Sequence, residues 1–393
     1  MSINLSQLTK SRLTENNSQP ALKSSGRNKK EIKENSLLAK INSLLLKLSR
    51  VPLTEKLFFV QHLSVMLRAG ISLSAALGTL VKQTKNKYFA KILTQISNNV
   101  EQGVSFTESL SPHKKIFGEL FINMIEAGEI SGKLEDVLNR LYIQLKKQHE
   151  LTSKVKGALT YPAVIIVAML GIGVFMMIMV VPKISDMFKE FSAELPLPTK
   201  ILIKTSDAVV NNGIITVVIL IILIFTIVQI LRTRRGKYYF QSLILKLPII
   251  APIVKKINLA RFARTISSLL KTDIMIIKTL QITGNVLGNL HYRAALIEMG
   301  EKIKKGSTIY ETISNYPNLF PPVVTQMISV GEETGELDNI LEELAKFYES
   351  EVDQIMSNLP SIIEPILILV LGCGVGAMAV AIIMPMYSIT QSI

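Results

Sequence analysis

The chain has 393 residues, of which 48% are hydrophobic and only 19% are charged, and its mean hydropathy is +0.36. These values are too apolar for an ordinary soluble enzyme. The net charge of +14 could suit a nucleic-acid binder, but many of the basic residues cluster at the edges of apolar segments. The single cysteine, Cys373, excludes an internal disulfide and a cysteine metal site.

The first 50 residues are predicted to be a segment of their own. Residues 1–36 are rich in Ser, Asn and Lys and have the composition of a disordered chain, with no apolar run that would form a signal peptide. Residues 37–48, "LLAKINSLLLKL", place leucines on one helical face and Lys40 and Lys47 on the other, which predicts a short amphipathic helix. Such a helix either lies on a membrane surface or packs on the domain that follows.

Residues 51–160 are predicted to form a first cytoplasmic helical bundle. The stretch "LFFVQHLSVMLRAG" has one apolar stripe at helical spacing and ends at Gly70. Further helices are expected over 72–83 and 87–101, and both "SFTE" at 105–108 and "TIYE" at 308–311 have the form of a capping box.

Three apolar stretches that are almost free of charge are each long enough to cross a bilayer. Lysines precede the first stretch and Arg and Lys follow the second, so the positive-inside rule predicts the side on which each remaining segment lies. The predicted order is 161–181 (first span), 182–213 (external loop), 214–231 (second span), 232–361 (second cytoplasmic bundle), 362–385 (third span) and 386–393 (external tail). The prediction is therefore a multi-pass protein of the cytoplasmic (inner) membrane with a cytoplasmic N-terminus and an external C-terminus.

One constant offset of 203 residues relates the two halves without a gap. It maps Leu77 to Leu280, Phe117 to Phe320, and Pro162 to Pro365. The chain is therefore two copies of one unit, each a bundle of about six helices followed by a span, and the fold class is all-α. The additional second span returns the second bundle to the side of the first.

The offset also repeats a Gly-Glu-x-x-Gly phrase, "GEISGKL" at 128–134 and "GEETGEL" at 331–337. Its marked residues are Gly128, Glu129 and Gly132 in the first copy and Gly331, Glu332 and Gly335 in the second. A phosphate cradle is disfavoured because the glutamate would repel the anion. We expect a helix–turn–helix corner, in which Gly supplies a positive φ and Ser131 or Thr334 caps the next helix. The same corner is compatible with a surface that contacts a partner.

The chain has no motif for catalysis. It contains no phosphate-binding P-loop, no HExxH sequence and no G-x-S-x-G elbow, and its four histidines are not paired in spacing. Acidic residues after Gly331 could in principle bind a hard cation, but they lack the alternating positions of a calcium loop. We expect no enzyme activity, no cofactor and no metal.

The spans carry features for packing in lipid. Gly372 and Gly376 form a G-x-x-x-G face, which lets helix backbones approach closely within the chain or between subunits. Glu364 lies at the membrane entry of the third span, where the first copy has Tyr161. It is either an interfacial carboxylate or one that meets a partner inside the membrane.

Several segments together resemble one family, the inner-membrane platform proteins of type II secretion systems and type IV pilus assembly machines (GspF/PilC-like). They include "MIEAGEISGKLEDVL" (124–138), "KVKGALTYPAVIIV" (154–167) and "FPPVVTQMISVGEETGELDNIL" (320–341). The family motif includes the Gly-Glu residues, Tyr161, Pro162 and Pro365. The second copy departs from the first at "TDI" (272–274), where the first has "AGI", and at "IIEPI", where the first has "LTYPA".

The resemblance implies a non-catalytic platform. Its implied partners are a cytoplasmic assembly or secretion ATPase, pilin-like or pseudopilin subunits, other inner-membrane components, further copies of the same chain and membrane lipid, with no nucleic acid bound directly. The ATPase would drive insertion of pilin-like subunits into a growing pilus or pseudopilus. The alternatives are a small membrane transporter and a membrane-anchored component of DNA uptake.

Overall fold

The computed structural model describes residues 51–190, 197–248 and 250–391. The predictions for residues 1–50 lie outside this part of the chain. The described residues form helices and connecting turns, with no strand among them. The all-α prediction of two duplicated bundles and three apolar spans is confirmed.

The first bundle is built from helices that end at glycines or polar caps. Helices predicted over 72–83 and 87–101 are observed as α2 and α3, capped by the side chains of Ser72 and Asn86. The helices of this copy are α1 (Leu53–Arg68), α2 (Leu73–Gln83), α3 (Lys87–Glu101), α4 (Phe106–Leu110), α5 (Lys114–Phe117), α6 (Glu119–Ile130) and α7 (Leu134–Phe175), with a 3₁₀ turn at Ser111–His113.

The second bundle follows a connection that is itself helical. After α7 come a π-helical turn (Met176–Val180), α8 (Val181–Glu190), α9 (Leu197–Asn211), α10 (Gly213–Arg232) and α11 (Arg234–Ile244). The second copy then consists of α12 (Ile250–Leu270), α13 (Ile276–Leu287), α14 (Leu290–Ile303), α15 (Ile309–Ser314), α16 (Pro322–Thr334) and α17 (Leu337–Gln391).

Each bundle packs around three buried aromatic rings at equivalent positions. In the first copy the Phe89 ring centroid lies 5.8 Å from that of Phe59 and 5.9 Å from that of Phe117. The second copy has Phe262, Tyr292 and Phe320 at the positions 203 residues further on. The Tyr292 hydroxyl donates to the Leu319 carbonyl at 2.9 Å, so the added polar group is satisfied in the core.

The turn after the first helix of each copy keeps its backbone shape although its sequence changes. Gly70 has φ +79°, and Asp273, 203 residues later, has φ +58°. Asp is one of the residues that enter this left-handed region at modest cost. The departure of "TDI" from "AGI" therefore changes the side chain and not the turn.

The last helix of each copy runs from its bundle into an apolar span without a break. Helix α7 and the turns that continue it make one candidate span (Leu134–Asp186), and α10 (Gly213–Arg232) and α17 (Leu337–Ala381) supply the other two, by length and composition. Helix α17 has 55 residues, a length of roughly 80 Å at 1.5 Å per residue. The last helix of each bundle and its span are thus one continuous helix, which is called a rod below.

Helices α8 and α9 occupy the segment between the first two spans, and α9 bonds both the π-helical turn that follows α7 and the far part of α17. The Thr199 hydroxyl donates to the Ala381 carbonyl at 2.7 Å, and the Ser206 hydroxyl donates to the Met177 carbonyl at 2.6 Å. Both hydroxyl-bearing residues are buried. Helix α9 therefore connects the far ends of the two rods.

The two copies also meet near the bundles, before the apolar parts of α7 and α17 begin. Gln144 of α7 is buried against α12, where its Nε2 donates to Thr265 Oγ1 (3.3 Å) and its Oε1 accepts from Ser268 Oγ (2.9 Å). Below this contact an apolar seam joins α7, α12 and α17. Its buried members are Leu151, Val352, Met356 and Leu359. The two rods are consequently attached to each other before they enter the spans.

Replacing Gln144 by Ala is expected to lower the free energy of unfolding by about 1–3 kcal/mol, because two hydroxyls at the buried junction lose their partner. The measurement is thermal unfolding of the full-length chain in detergent. Gln83→Ala, at the exposed end of α2, is the matched control and should change the stability little. Equal effects of the two substitutions would contradict the role assigned to Gln144.

Candidate functional site: the Gly-Glu corners and the helices that enter the spans

The glutamate of the first corner holds the start of a short helix from across the bundle. Glu129 lies near the end of α6, and its Oε1 and Oε2 accept hydrogen bonds from the backbone amides of Phe106 (2.6 Å) and Thr107 (2.9 Å) at the start of α4. Amides in the first turn of a helix have no partner within the helix, and a carboxylate also suits its positive end. Glu129 is therefore a capping residue supplied 22 to 23 residues away in the chain.

The second corner repeats the arrangement atom for atom. Glu332 accepts from the amides of Ile309 (2.8 Å) and Tyr310 (3.0 Å) at the start of α15. Here the predicted capping box is complete, since Thr308 Oγ1 accepts from the Glu311 amide and Glu311 Oε2 accepts from the Thr308 amide, both at 3.1 Å. Four consecutive amides at this helix start are satisfied.

In the first copy only half of the predicted capping box is formed. Ser105 Oγ accepts from the Glu108 amide at 3.1 Å, and the reciprocal bond is not among those of the described residues. The first copy therefore relies on Ser105 and Glu129 for the start of α4. Sequence reasoning found the box and missed the distant glutamate.

The first glycine of each corner lets two helices approach closely. A Cβ added to Gly128 would lie 2.9 Å from Val137 Cβ, and one added to Gly331 would lie 3.0 Å from Leu337 Cα. Both distances are shorter than ordinary side-chain contacts. Each glycine therefore brings its helix directly against the start of the long helix that follows.

The second glycine of each corner supplies the left-handed turn that was predicted. Gly132 has φ +69° and Gly335 has φ +74°. The prediction that Ser131 or Thr334 caps the following helix is wrong. Ser131 Oγ donates back to the Gly128 carbonyl (3.4 Å) and Thr334 Oγ1 to the Val330 carbonyl (2.7 Å), because both hydroxyls lie on the final turn of the preceding helix.

Ion pairs attach α12 to the rod α17. Arg264, which is buried, donates from Nε and from one terminal nitrogen to the two oxygens of Glu349 at 2.7 and 2.8 Å, the forked geometry that fixes both side chains. Two helical turns closer to the corner on α17, Glu342 bonds Lys271, which lowers the pKa of the Glu342 carboxyl. These charged side chains are therefore paired with each other within the chain.

A groove of about 760 Å³ lies where the first bundle meets α13, and two of its three lysines have partners within the chain. Lys56 Nζ donates to the Ile116 carbonyl at 2.6 Å, and burial lowers the pKa of this lysine. Lys114 pairs with Glu119 at 2.7 Å. Within the described part of the chain, no group of three or more His, Cys, Asp or Glu residues is placed to hold a metal ion.

The prolines at the membrane entries are not equivalent. Pro162 lies inside α7 and is buried, whereas Pro365 of α17 is exposed. Each lacks the amide that would bond four residues back, yet both helices continue through the position. Tyr161, beside the first proline, has 46% of its surface exposed.

The two glycines of the G-x-x-x-G face in the third span contact no other helix in the described part of the chain. Gly372 and Gly376 are exposed, and a Cβ added to either would meet nothing within 4 Å. The most apolar windows of the three candidate spans are 6%, 0% and 0% buried. Packing through the G-x-x-x-G face, within the chain or between subunits, therefore stays a prediction.

A family model for the type II secretion system (T2SS), protein F, matches residues 59–182 and again 262–385. The chain belongs to the type II secretion system protein F family. Both ends of the second match lie 203 residues beyond those of the first, which confirms the duplication. Each match begins in the first helix of a copy and ends in its span, so the family unit includes both corner and rod.

Relatives from pilus assembly and from type II secretion match this family member over about 86% of its length. Type IV pilus assembly protein PilC of Thermus thermophilus is 36% identical over 86% of this chain and 83% of its own. PilC of Myxococcus xanthus is 33% identical over 86% of this chain and 81% of its own. Type II secretion system protein F of Aeromonas hydrophila is 28% identical over 86% of this chain and 87% of its own.

Glu332→Gln is expected to lower the free energy of unfolding by about 1–3 kcal/mol, because the amide side chain has one acceptor oxygen for two backbone amides and no charge. Thermal unfolding of the full-length chain in detergent measures the effect. Glu333→Gln is the matched control, since the adjacent Glu333 is exposed and bonds only Ser329 among its described contacts. A loss for Glu333→Gln as large as that for Glu332→Gln would count against the capping role.

Gly128→Ala is expected to destabilise the protein by roughly 1–3 kcal/mol, since the new methyl group would overlap Val137. Gly78→Ala serves as control, because Gly78 is also helical and its added Cβ meets nothing within 4 Å. There the substitution should be neutral or stabilise slightly. The unfolding midpoints of both variants decide the matter, and similar midpoints would rule out a close-packing role for Gly128.

Proposed function

We propose that this protein is an inner-membrane platform that couples a cytoplasmic assembly ATPase to the insertion of pilin-like subunits into a growing pilus or pseudopilus. The observation that carries the proposal is the rigid connection between each bundle and its span. Each bundle continues through a close-packed corner into one unbroken helix that enters the membrane. A displacement applied to a bundle is thereby delivered to a span rather than absorbed in a loop.

The attachment of the rods to each other supports a single moving unit. Gln144 and the apolar seam join α7, α12 and α17 near the bundles, and α9 joins α7 and α17 at the far ends. In this proposal residues 51–160 and 232–361 lie in the cytoplasm, where they face the ATPase. Segment 182–213 and the C-terminus lie outside.

The exposed spans favour a platform over a transporter. A transporter places its substrate between packed or broken helices near the middle of the membrane. Here the apolar windows are almost entirely unburied, and their surfaces are available to lipid, to pilin-like helices or to further copies of the chain. The relatives are named for pilus assembly and for type II secretion, and a platform of this kind would serve either machine or one for DNA uptake.

Site-directed crosslinking tests both partners. After Cys373→Ser removes the single cysteine, one new cysteine is placed on each exposed bundle position Lys91 and Lys305, and one on the exposed span position Val164. We expect a long photoreactive crosslinker on the bundle positions to capture the assembly ATPase, and the span position to capture a pilin-like subunit instead.

Deletion of the gene provides the complementary measurement. The expected result is loss of surface pili or of secreted protein, restored by the full-length chain. Normal piliation together with normal secretion in the deletion strain would sink the proposal, as would crosslinking of the ATPase from Val164 and not from the bundles.

A further inference from the structure

A cleft lies directly after the second span, between the short helix α11 and helix α14 of the second bundle. Its volume is about 510 Å³, within the range of small-ligand sites. It is lined by Arg234, Arg235, Tyr238, Tyr239, Leu290, Arg293, Ala294 and Ile297. No acidic residue is among these eight, so the cleft combines positive charge, aromatic rings and an apolar floor.

Helix α11 is fixed in place by contacts that leave the arginines free. Gln241 Nε2 donates to the Gly288 carbonyl (3.3 Å), and Gln241 Oε1 accepts from the Leu290 amide (2.8 Å), so one side chain joins α11 to the turn before α14. The Tyr238 ring lies 4.3 Å from that of His291, centroid to centroid. The cleft is therefore a preformed feature of the second bundle.

The arginines of the cleft form no ion pairs with the described residues. Arg234, Arg235 and Arg293 are exposed, and none of them has an ion pair with the residues that the structure describes. Glu119 is close enough for the charge of Arg293 to contribute, after Lys114 and Asn285, to lowering its pKa, but Lys114 and Asn285 bond that carboxylate directly. The three arginines line one cleft, and none of its lining residues is acidic.

The position of the cleft decides what kind of anion it would meet. The apolar helix α10 ends at Arg232, and Thr233 has an extended ψ of 148° and begins α11 with its side chain as cap. Arg234 and Arg235 are thus at the membrane boundary, with Tyr239, 73% exposed, beside them. Exposed Tyr is typical of the headgroup region, and basic pockets there recognise anionic lipid headgroups.

We propose that this cleft binds the headgroup of one anionic phospholipid from the adjacent leaflet. The arginines hold the phosphate, the two tyrosines lie at the level of the glycerol, and Leu290 and Ile297 contact the first methylenes of the chains. A bound lipid would attach the second bundle to the membrane surface beside the second span. The site is independent of any contact with an ATPase or a pilin.

Native mass spectrometry of the purified full-length protein tests the site. Delipidated protein is offered equal amounts of phosphatidylglycerol and phosphatidylcholine, and the wild type is expected to retain phosphatidylglycerol selectively. The triple variant R234Q/R235Q/R293Q should lose this retention, by roughly fivefold for each arginine. The control K82Q/K87Q/K91Q removes the same charge from exposed positions of the first bundle and should retain the lipid.

Three results would overturn the proposal. They are unchanged retention in the triple variant, an equal loss in the lysine control, and displacement of phosphatidylglycerol by millimolar inorganic phosphate, which would make the cleft a site for a free anion. Thermal unfolding checks each variant. Should the triple variant be unfolded, the single variant Arg293→Gln, on the other helix, decides by the presence or absence of its own roughly fivefold loss.

Discussion

In each copy a carboxylate at the final helix corner satisfies the free amides of a short helix in the same bundle. Those amides need an acceptor once they are removed from water. Because the two oxygens of Glu129 bond two successive amides, they fix both the distance and the angle between α4 and α6. Helix α6 in turn packs against α7 without a side chain between them at Gly128. The direction in which α7 leaves the bundle therefore depends on this one carboxylate.

Local patterns predicted the helices and the duplication, but not the contact that organises them. Apolar spacing and caps depend on neighbours in sequence, and they placed α2 and α3 correctly. The bond from Glu332 to α15 joins residues 22 to 23 positions apart, and no local rule covers it. The signal was present in the repeat, since the glutamate and the helix start keep the same spacing in both copies. The assignment of Ser131 as a cap was wrong because its hydroxyl had a nearer acceptor in its own helix.

The two copies share one backbone framework and differ in the side chains that it carries. Gly70 and Asp273 have different side chains and the same left-handed turn, and Phe89 and Tyr292 occupy the same core position although one carries a hydroxyl. The copies therefore share a framework and differ in the groups that they present. A partner that contacts both bundles would meet two related but unequal surfaces.

The unbroken passage from corner to span sets an angular constraint. An α-helix turns by about 100° per residue. One residue inserted between Gly335 and the third span would rotate the whole outer face of that span relative to its bundle, and would carry Gly372 to another side. The two copies match from bundle to span with no insertion or deletion. Because the two copies have equal length, each span keeps the same rotation about its helix axis, and the same distance, relative to its bundle. The number of residues therefore determines which face of the first and third spans is turned toward a neighbour, as much as the residue types do.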